Sequence, residues 1–532
     1  SLVGIGATLE AVDGYCKIRD LVPGGPAARS GLLKPGDRIV AVAQAGKEPT
    51  DVVNMPLSRT VELIRGPKGT TVTLRVVPVG APDGSLPKMA SIVRDEVKLA
   101  DQEAKARIVD LPTGNGTTLR LGVIDLPSFY ADIGTHDASE HRSATADVER
   151  LLGKLKAEHV QGVVLDLRRN GGGSLEEAIS LTGLFIRKGP VVQTRDQAGD
   201  IEVGTDPDPA VVYDGPLVLL TSRFSASASE ILAGALQDYG RALVVGDSST
   251  FGKGTVQNIL PLARVMDQVG LAHSYDPGAL KVTTSKFYRP SGASTQLRGV
   301  ASDIVLPSTS DFVDVGESKL KDPLPWDVIP STSYDHLNRV RPYVFRLREE
   351  SARRVAENRD FGFLAGDIAR LKRSLETKAI SLNEAERRQE QARDKTRRDD
   401  REREDRARRA TRPNTYEITL ENASSPGLPP PVVFASDVGK ASPAAGSPTA
   451  DDVDELTTGR SAADDIILDE TMGVLADYVK LLVGVTPQGD RVSYVTDEIP
   501  VGRVRSCSFP DDRHAPIAFF FPPASAQFFD IG

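Results

Sequence analysis

The chain has 532 residues, a formal net charge of −9 and 39% hydrophobic residues. That length calls for several domains at roughly 100–200 residues each, and the acidic balance argues against a general nucleic-acid binder. Two cysteines, Cys16 and Cys507, and six scattered histidines supply neither a disulfide framework nor metal-ligand spacing, so no metal or cofactor is expected. No run of about 20 apolar residues predicts a transmembrane helix. The opening Ser1-Leu2-Val3-Gly4 is neither a methionine start nor a signal peptide, and reads as a fragment cut at a domain edge.

Residues 1–79 form the first predicted unit. Gly4-Ile5-Gly6-Ala7 leads into an alternating strand pattern. Val22-Pro23-Gly24-Gly25-Pro26-Ala27-Ala28 and Lys34-Pro35-Gly36-Asp37-Arg38 follow, then an amphipathic helix over Leu57–Ile64 and a strand over Thr71–Val77. This order resembles a PDZ domain of the bacterial protease type. The resemblance implies capture of a peptide C-terminus as an added strand, with backbone N–H groups holding its carboxylate. Gly4, Ile5, Gly6 and Ala7 match the carboxylate loop.

Residues 80–110 read as a linker followed by a charged, strand-like segment. From 111 to 310 strands and helices alternate. The predicted strands are Leu121–Leu126, Gly162–Leu167, Leu217–Thr221 and Ala242–Val245. The predicted helices are Val148–Leu155, Leu175–Ile186 and Ser229–Leu236. That alternation argues for an α/β core with parallel pairing. Residues 311–412 read as a helical C-terminal domain. Within it, 384–409 carries eleven basic and nine acidic residues. Their near-cancellation suits a solvated helix or disordered arm, not a nucleic-acid arm. Residues 413–462 read as a flexible linker rich in Pro, Ala, Ser and Gly. A short amphipathic helix is expected within 463–485. Residues 486–532 have no assignment, and Ile517-Ala518-Phe519-Phe520-Phe521 is an unexplained apolar run.

The chemistry gathers in three stretches. Phe224-Ser225-Ala226-Ser227-Ala228-Ser229-Glu230 opens an apolar helical pattern. Phe251-Gly252-Lys253-Gly254-Thr255-Val256-Gln257 follows, and Asn170-Gly171-Gly172-Gly173 lies upstream, after a buried strand. Ser and Lys can together make an acyl-transfer site if the lysine loses its proton. A free lysine has a pKa of ~10.4, and bringing it to roughly 7–8 costs about 3–5 kcal/mol of differential solvation, which apolar walls such as Phe251 and Val256 can supply. Ser225, Ser227 and Ser229 all compete for the nucleophile on residue type alone. The glycine turn also matches a phosphate loop in outline, but no Gly-Lys-Ser/Thr follows it.

Together these stretches resemble the tail-specific (C-terminal processing) proteases, in their long bacterial form with a PDZ domain and with the N-terminal part absent. The resemblance implies a crotonase-like α/β spiral core, an inserted β-rich PDZ domain and a helical C-terminal region. It places the nucleophile at Ser227, the general base at Lys253 and a supporting residue at Gln257, with Ala228 and Gly172 as oxyanion donors. The segment between Asp247 and Phe251 is one residue longer than the family pattern. Some relatives count a residue equivalent to Asp238 as catalytic. On a continuous helix, though, Asp238 would lie about 16 Å from Ser227 at ~1.5 Å per residue, which suits a structural role. The implied activity is a serine endopeptidase acting on unfolded or loosely folded proteins with apolar C-termini, in the periplasm or cell envelope, with an adaptor protein as a candidate partner. The alternatives are a non-catalytic binding protein of the same fold and a PDZ scaffold with an inactive core.

Overall fold

The structure is a computed structural model that describes residues 2–12, 14–22, 25–81, 85–97, 103–113, 117–131, 142–271, 277–377, 379, 381–408, 413–432 and 465–483. Cys507, the 517–521 run and most of the expected linker lie outside the described residues.

The first unit contains β1 (Leu2–Gly4), β2 (Ala7–Val12), β3 (Tyr15–Leu21), α1 (Pro26–Ser30), β4 (Arg38–Gln44), β5 (Thr50–Asp51), α2 (Leu57–Ile64), β6 (Thr71–Val77), β7 (Lys88–Val93) and β8 (Asp95–Val97). Strands order as β2-β3-β4-β6-β7, with β5 on β4, and β1 pairs with β8. Ile18, Ile39, Val72 and Leu74 alternate into a closed core. β2 stands at the sheet edge beside α2, the place where a peptide strand can be added. The sheet runs past the expected boundary at residue 79. In β7 only Ala90 and Ile92 are buried, an alternation too short to stand out from the charged sequence around it.

The second sheet is formed by β9 (Lys105–Pro112), β10 (Thr118–Asp125), β11 (Gly162–Asp166), β14 (Leu217–Thr221), β15 (Leu243–Gly246), β18 (Ile304–Val305) and β19 (Asn414–Ile418). Its order is β18-β15-β14-β11-β10-β9-β19. The five strands from β10 to β18 run parallel, and β9 and β19 join antiparallel. Strand period two sends Leu217 and Leu219 to one face and Val218 and Leu220 to the other. Helices α3 (Ala144–Ala157), α4 (Leu175–Gly183) and α5 (Ala228–Asp238) cover the first face. The charged segment before residue 110 and the expected linker after 413 thus each contribute a strand to this sheet. β19 sits in a Pro- and Ser-rich stretch, and its strand character depends on pairing with β9, about 300 residues away.

A third sheet was not expected from the sequence. It contains β12 (Gly189–Asp196), β13 (Ile201–Asp206), β16 (Thr255–Pro261) and β17 (Ala279–Tyr288) in the order β13-β12-β17-β16. Helix α6 (Leu262–Gln268) lies between β16 and β17. Further along, residues 310–343 contain short 3-10 turns before the first long helix. Helices α7 (Val344–Glu357), α8 (Arg359–Thr377) and α9 (Glu384–Arg408) follow, so the charged segment is helical. The last described element is α10 (Ile466–Val483). It is not peripheral: Leu468, Met472, Leu475 and Val479 are buried against the second face of the central sheet, beside Leu347 of α7. Gly162 permits this close approach, since a Cβ there would meet Leu475 at 2.8 Å. Among the described residues, no helix is long and apolar enough to cross a membrane.

Candidate active site

Three loops converge beyond the C-terminal ends of the parallel strands: 167–174 after β11, 222–227 after β14 and 247–254 after β15. This is where open α/β sheets place their ligands.

The structure separates the three candidate serines. Ser225 and Ser229 are both 0% exposed, and each stitches the loops together. Ser225 Oγ donates to the Leu167 carbonyl (2.8 Å), and Ser229 Oγ donates to the Asn170 carbonyl (2.8 Å). Ser227 is half-buried and sits at the head of α5 with φ 57° and ψ −113°. A non-glycine residue held there costs on the order of 1–3 kcal/mol and persists only where its surroundings fix it.

Glu230 supplies much of the fixing. It is 0% exposed, and its carboxylate accepts from Ser227 N–H (2.8 Å), Thr250 Oγ1 (2.6 Å), Gly252 N–H (2.7 Å) and Lys253 N–H (3.0 Å). One side chain thus ties the backbone of the serine to the backbone of the lysine. Burial pushes its carboxyl up to about 7, against the pull of those four donors. Sequence reasoning missed this residue, although the Ser227-x-x-Glu230 spacing is that of a capping box.

Lys253 is held from its other side as well. Thr295 Oγ1 donates to the Lys253 carbonyl (3.1 Å), and Gly254 N–H donates to Gln296 Oε1 (2.8 Å). Its Nζ donates to Gln257 Oε1 (3.1 Å), and Gln257 Nε2 reaches Thr283 Oγ1 on β17 (3.4 Å). Lys253 and Gln257 are therefore brought together as expected. Among the described residues Lys253 Nζ makes no hydrogen bond to Ser227. Burial lowers the Lys253 pKa, and Lys281 adds to the shift, against Glu317 and Glu230. The direction is the one a general base requires.

The glycine turn packs directly on the serine. Gly172 has φ 108°, and a Cβ there would meet Ser227 Cβ at 2.8 Å. Only glycine fits both constraints. Its amide donates to Asn170 Oδ1 (2.9 Å), so in this structure that N–H is engaged inside the turn. Asn170 is itself pinned by Nδ2 to the Leu126 carbonyl (2.9 Å).

Asp238 lies at the far end of α5. Its carboxylate pairs with Arg289 and accepts from Ser291 N–H (3.1 Å), fastening the helix end to the chain beyond β17. In the first unit, Gly4, Ile5, Gly6 and Ala7 form the turn from β1 into edge strand β2, with Ile5 buried and its carbonyl accepting from Ala27 N–H (2.7 Å). Among the described residues, no group of three or more His, Cys, Asp or Glu side chains could hold a metal.

Comparison with known proteins accords with these elements. Residues 120–306 match peptidase family S41, residues 2–77 match the PDZ domain, and residues 310–480 match the C-terminal domain of tail specific protease. The chain carries an S41 peptidase domain with a PDZ domain before it. It is 41% identical over 399 residues to the tail-specific protease of Haemophilus influenzae, covering 74% of this chain and 54% of that relative. It is 35% identical to a carboxy-terminal-processing protease of Bartonella bacilliformis, covering 60% of this chain and 66% of that relative. The chain thus spans between about half and two thirds of these relatives' lengths. Among solved structures, it is similar to a photosystem II D1 C-terminal processing protease (27% identity, TM-score 0.33, covering 57% of this chain and 72% of that one). It also resembles the PDZ domain of a Vibrio cholerae carboxy-terminal protease bound to a peptide (48% identity, TM-score 0.18, covering 18% of this chain and 98% of that one).

Proposed function

We propose that this S41 chain is a serine endopeptidase in which Ser227 is the nucleophile and Lys253 the general base. The observation that carries the reading is the Glu230 carboxylate, which holds the strained serine and the lysine loop in one hydrogen-bond network. Neutral Lys253 Nζ takes the Ser227 hydroxyl proton as Oγ attacks the substrate carbonyl. The resulting ammonium gives that proton to the leaving amine, and water deprotonated by the same lysine releases the acyl-enzyme. Gln257 orients the amine throughout. The Ala228 and Gly172 amides are the oxyanion donors of this scheme. Gly172 would exchange the Asn170 oxygen for the substrate's, a step that positions a donor only when a carbonyl is present. Asp238 holds the far end of α5 and takes no part in the chemistry.

In this reading the PDZ unit captures apolar C-termini along β2, with Gly4, Ile5, Gly6 and Ala7 at the carboxylate, and cleavage follows upstream in unfolded or loosely folded proteins. An envelope location and an adaptor protein are parts of the same proposal and rest on the kind of relatives matched. The test is cleavage of an unstructured peptide with an apolar C-terminus, beside the same peptide with a charged one, by wild type, Ser227→Ala and Lys253→Ala. Cleavage by wild type alone, favouring the apolar tail, is expected. Binding of the apolar tail without cleavage would replace this reading with that of a scaffold.

A further inference from the structure

Arg168 stands two residues before the Asn170–Gly173 turn, and its guanidinium is shared between two carboxylates. On one side it meets Asp166 at the end of β11 (Nε to Oδ1, 3.0 Å; Nη2 to Oδ2, 2.6 Å). On the other it meets Asp465 through Nη1 to Oδ1 (2.9 Å) and Nη2 to Oδ2 (2.5 Å). Asp465 is 297 residues away in sequence and immediately precedes α10, where its carboxylate also accepts from Leu468 N–H (3.0 Å). The side chains of Arg168 and Asp465 are each only 23% exposed. Such a bidentate fork fixes the direction of the arginine as well as its distance. The backbone of Arg168 is tied in turn to the serine loop, since its carbonyl accepts from Ser222 Oγ. A continuous path therefore runs from the last helix, through one guanidinium, to the turn that faces Ser227.

We infer that Asp465 is a positioning residue for the glycine turn, acting through Arg168, so that docking of α10 sets the geometry of the oxyanion donors. The inference rests on reading that turn as part of a peptidase site. The hydrophobic face of α10 holds the helix on the sheet, and Asp465 converts that docking into a fixed place for residues 169–173. A second charged contact of the same helix provides the control. Asp477 pairs with Arg354 of α7 and reaches neither Arg168 nor the turn.

The experiment compares the full chain with its Asp465→Ala, Asp465→Asn and Asp477→Asn variants. Asparagine still caps a helix, so Asp465→Asn separates loss of the ion pair from loss of the cap and guards against a misfolded alanine variant. The readouts are kcat and KM on the apolar-tailed peptide, thermal unfolding, and hydrogen exchange of the 169–173 amides. Both Asp465 variants are expected to lose roughly 10–100-fold in kcat, the scale of a small misplacement of reacting groups, with KM within about twofold. Exchange at 169–173 should rise by roughly tenfold, and Asp477→Asn should leave both unchanged. Unaltered kcat and exchange in the Asp465 variants, or equal effects from Asp477→Asn, would overturn the inference. If wild type cleaves nothing, the peptidase reading fails instead, and the exchange measurement still decides whether Asp465 holds the turn.

Discussion

The two ends of α5 carry one carboxylate each and use them differently. At its head, Glu230 is fully buried, makes no ion pair among the described residues and accepts from four donors that belong to two separate loops. At its tail, Asp238 meets Arg289 and a backbone amide. The head holds Ser227 in a strained conformation, and the tail merely fastens a helix to its neighbour. A carboxylate that costs burial energy without an ion pair is retained where it orders other groups, whereas the paired one here fastens the helix end to the chain beyond β17.

The largest effect is expected from removing what the head of α5 positions. Lys253→Ala should lower kcat/KM by at least about 10³-fold, the scale on which members of a catalytic unit fail together, with thermal unfolding little changed. Full activity in that variant would detach the lysine from the chemistry. Glu230→Gln should come next. It turns a donor toward backbone N–H groups that need acceptors, so a loss of about 1–3 kcal/mol in denaturant unfolding is expected. A fall of roughly 10–100-fold in kcat should accompany it as the two loops lose register.

The pH dependence separates the two groups. As the proposed general base Lys253 must be neutral, and burial lowers its pKa below the ordinary 10.5. Log kcat/KM should therefore rise with about unit slope as pH increases and level off before 10.5, in stopped assays across the range. Glu230 has the opposite linkage. Its carboxyl ionises near 4.5 when free and near 7 in the fold, so the folded state binds that proton more tightly. The resulting stability is full below pH 4.5 and is lost as pH climbs to about 7, by on the order of 3 kcal/mol relative to Glu230→Gln. The smallest effect on activity belongs to Asp238→Asn. It should cost about 1–3 kcal/mol of stability through the weakened Arg289 contact, yet leave kcat within about threefold. A kcat loss as large as that of Glu230→Gln would erase the distinction between the two ends.

Much of the central sheet was legible because its strands are buried on both faces. Gly162–Leu167 and Leu217–Thr221 are short apolar runs, and periodic helices separate them. The serine and lysine stretches were legible because glycine and small residues sit where the backbone turns sharply. The β12, β13, β16 and β17 sheet was not, since a stretch such as Gln193-Thr194-Arg195 is entirely polar even though Gln193 is buried. Glu230 escaped because its capping-box spacing points only to Ser227, while its other partners, Thr250 Oγ1 and the Gly252 and Lys253 amides, lie on a loop 20–23 residues away. Asp465 escaped because an ion pair spanning most of the chain leaves no local trace, and the helix it caps looks from sequence like any short amphipathic segment.

The most direct test of the central claim is mass-spectrometric mapping of the residue labelled by a fluorophosphonate, a reagent that captures an activated serine. A single adduct on Ser227 is expected in the wild-type chain, slowed strongly by Lys253→Ala and by Glu230→Gln, and untouched by Asp238→Asn. An adduct on Ser225 or Ser229, or labelling of Ser227 at the same rate without Lys253, would contradict it.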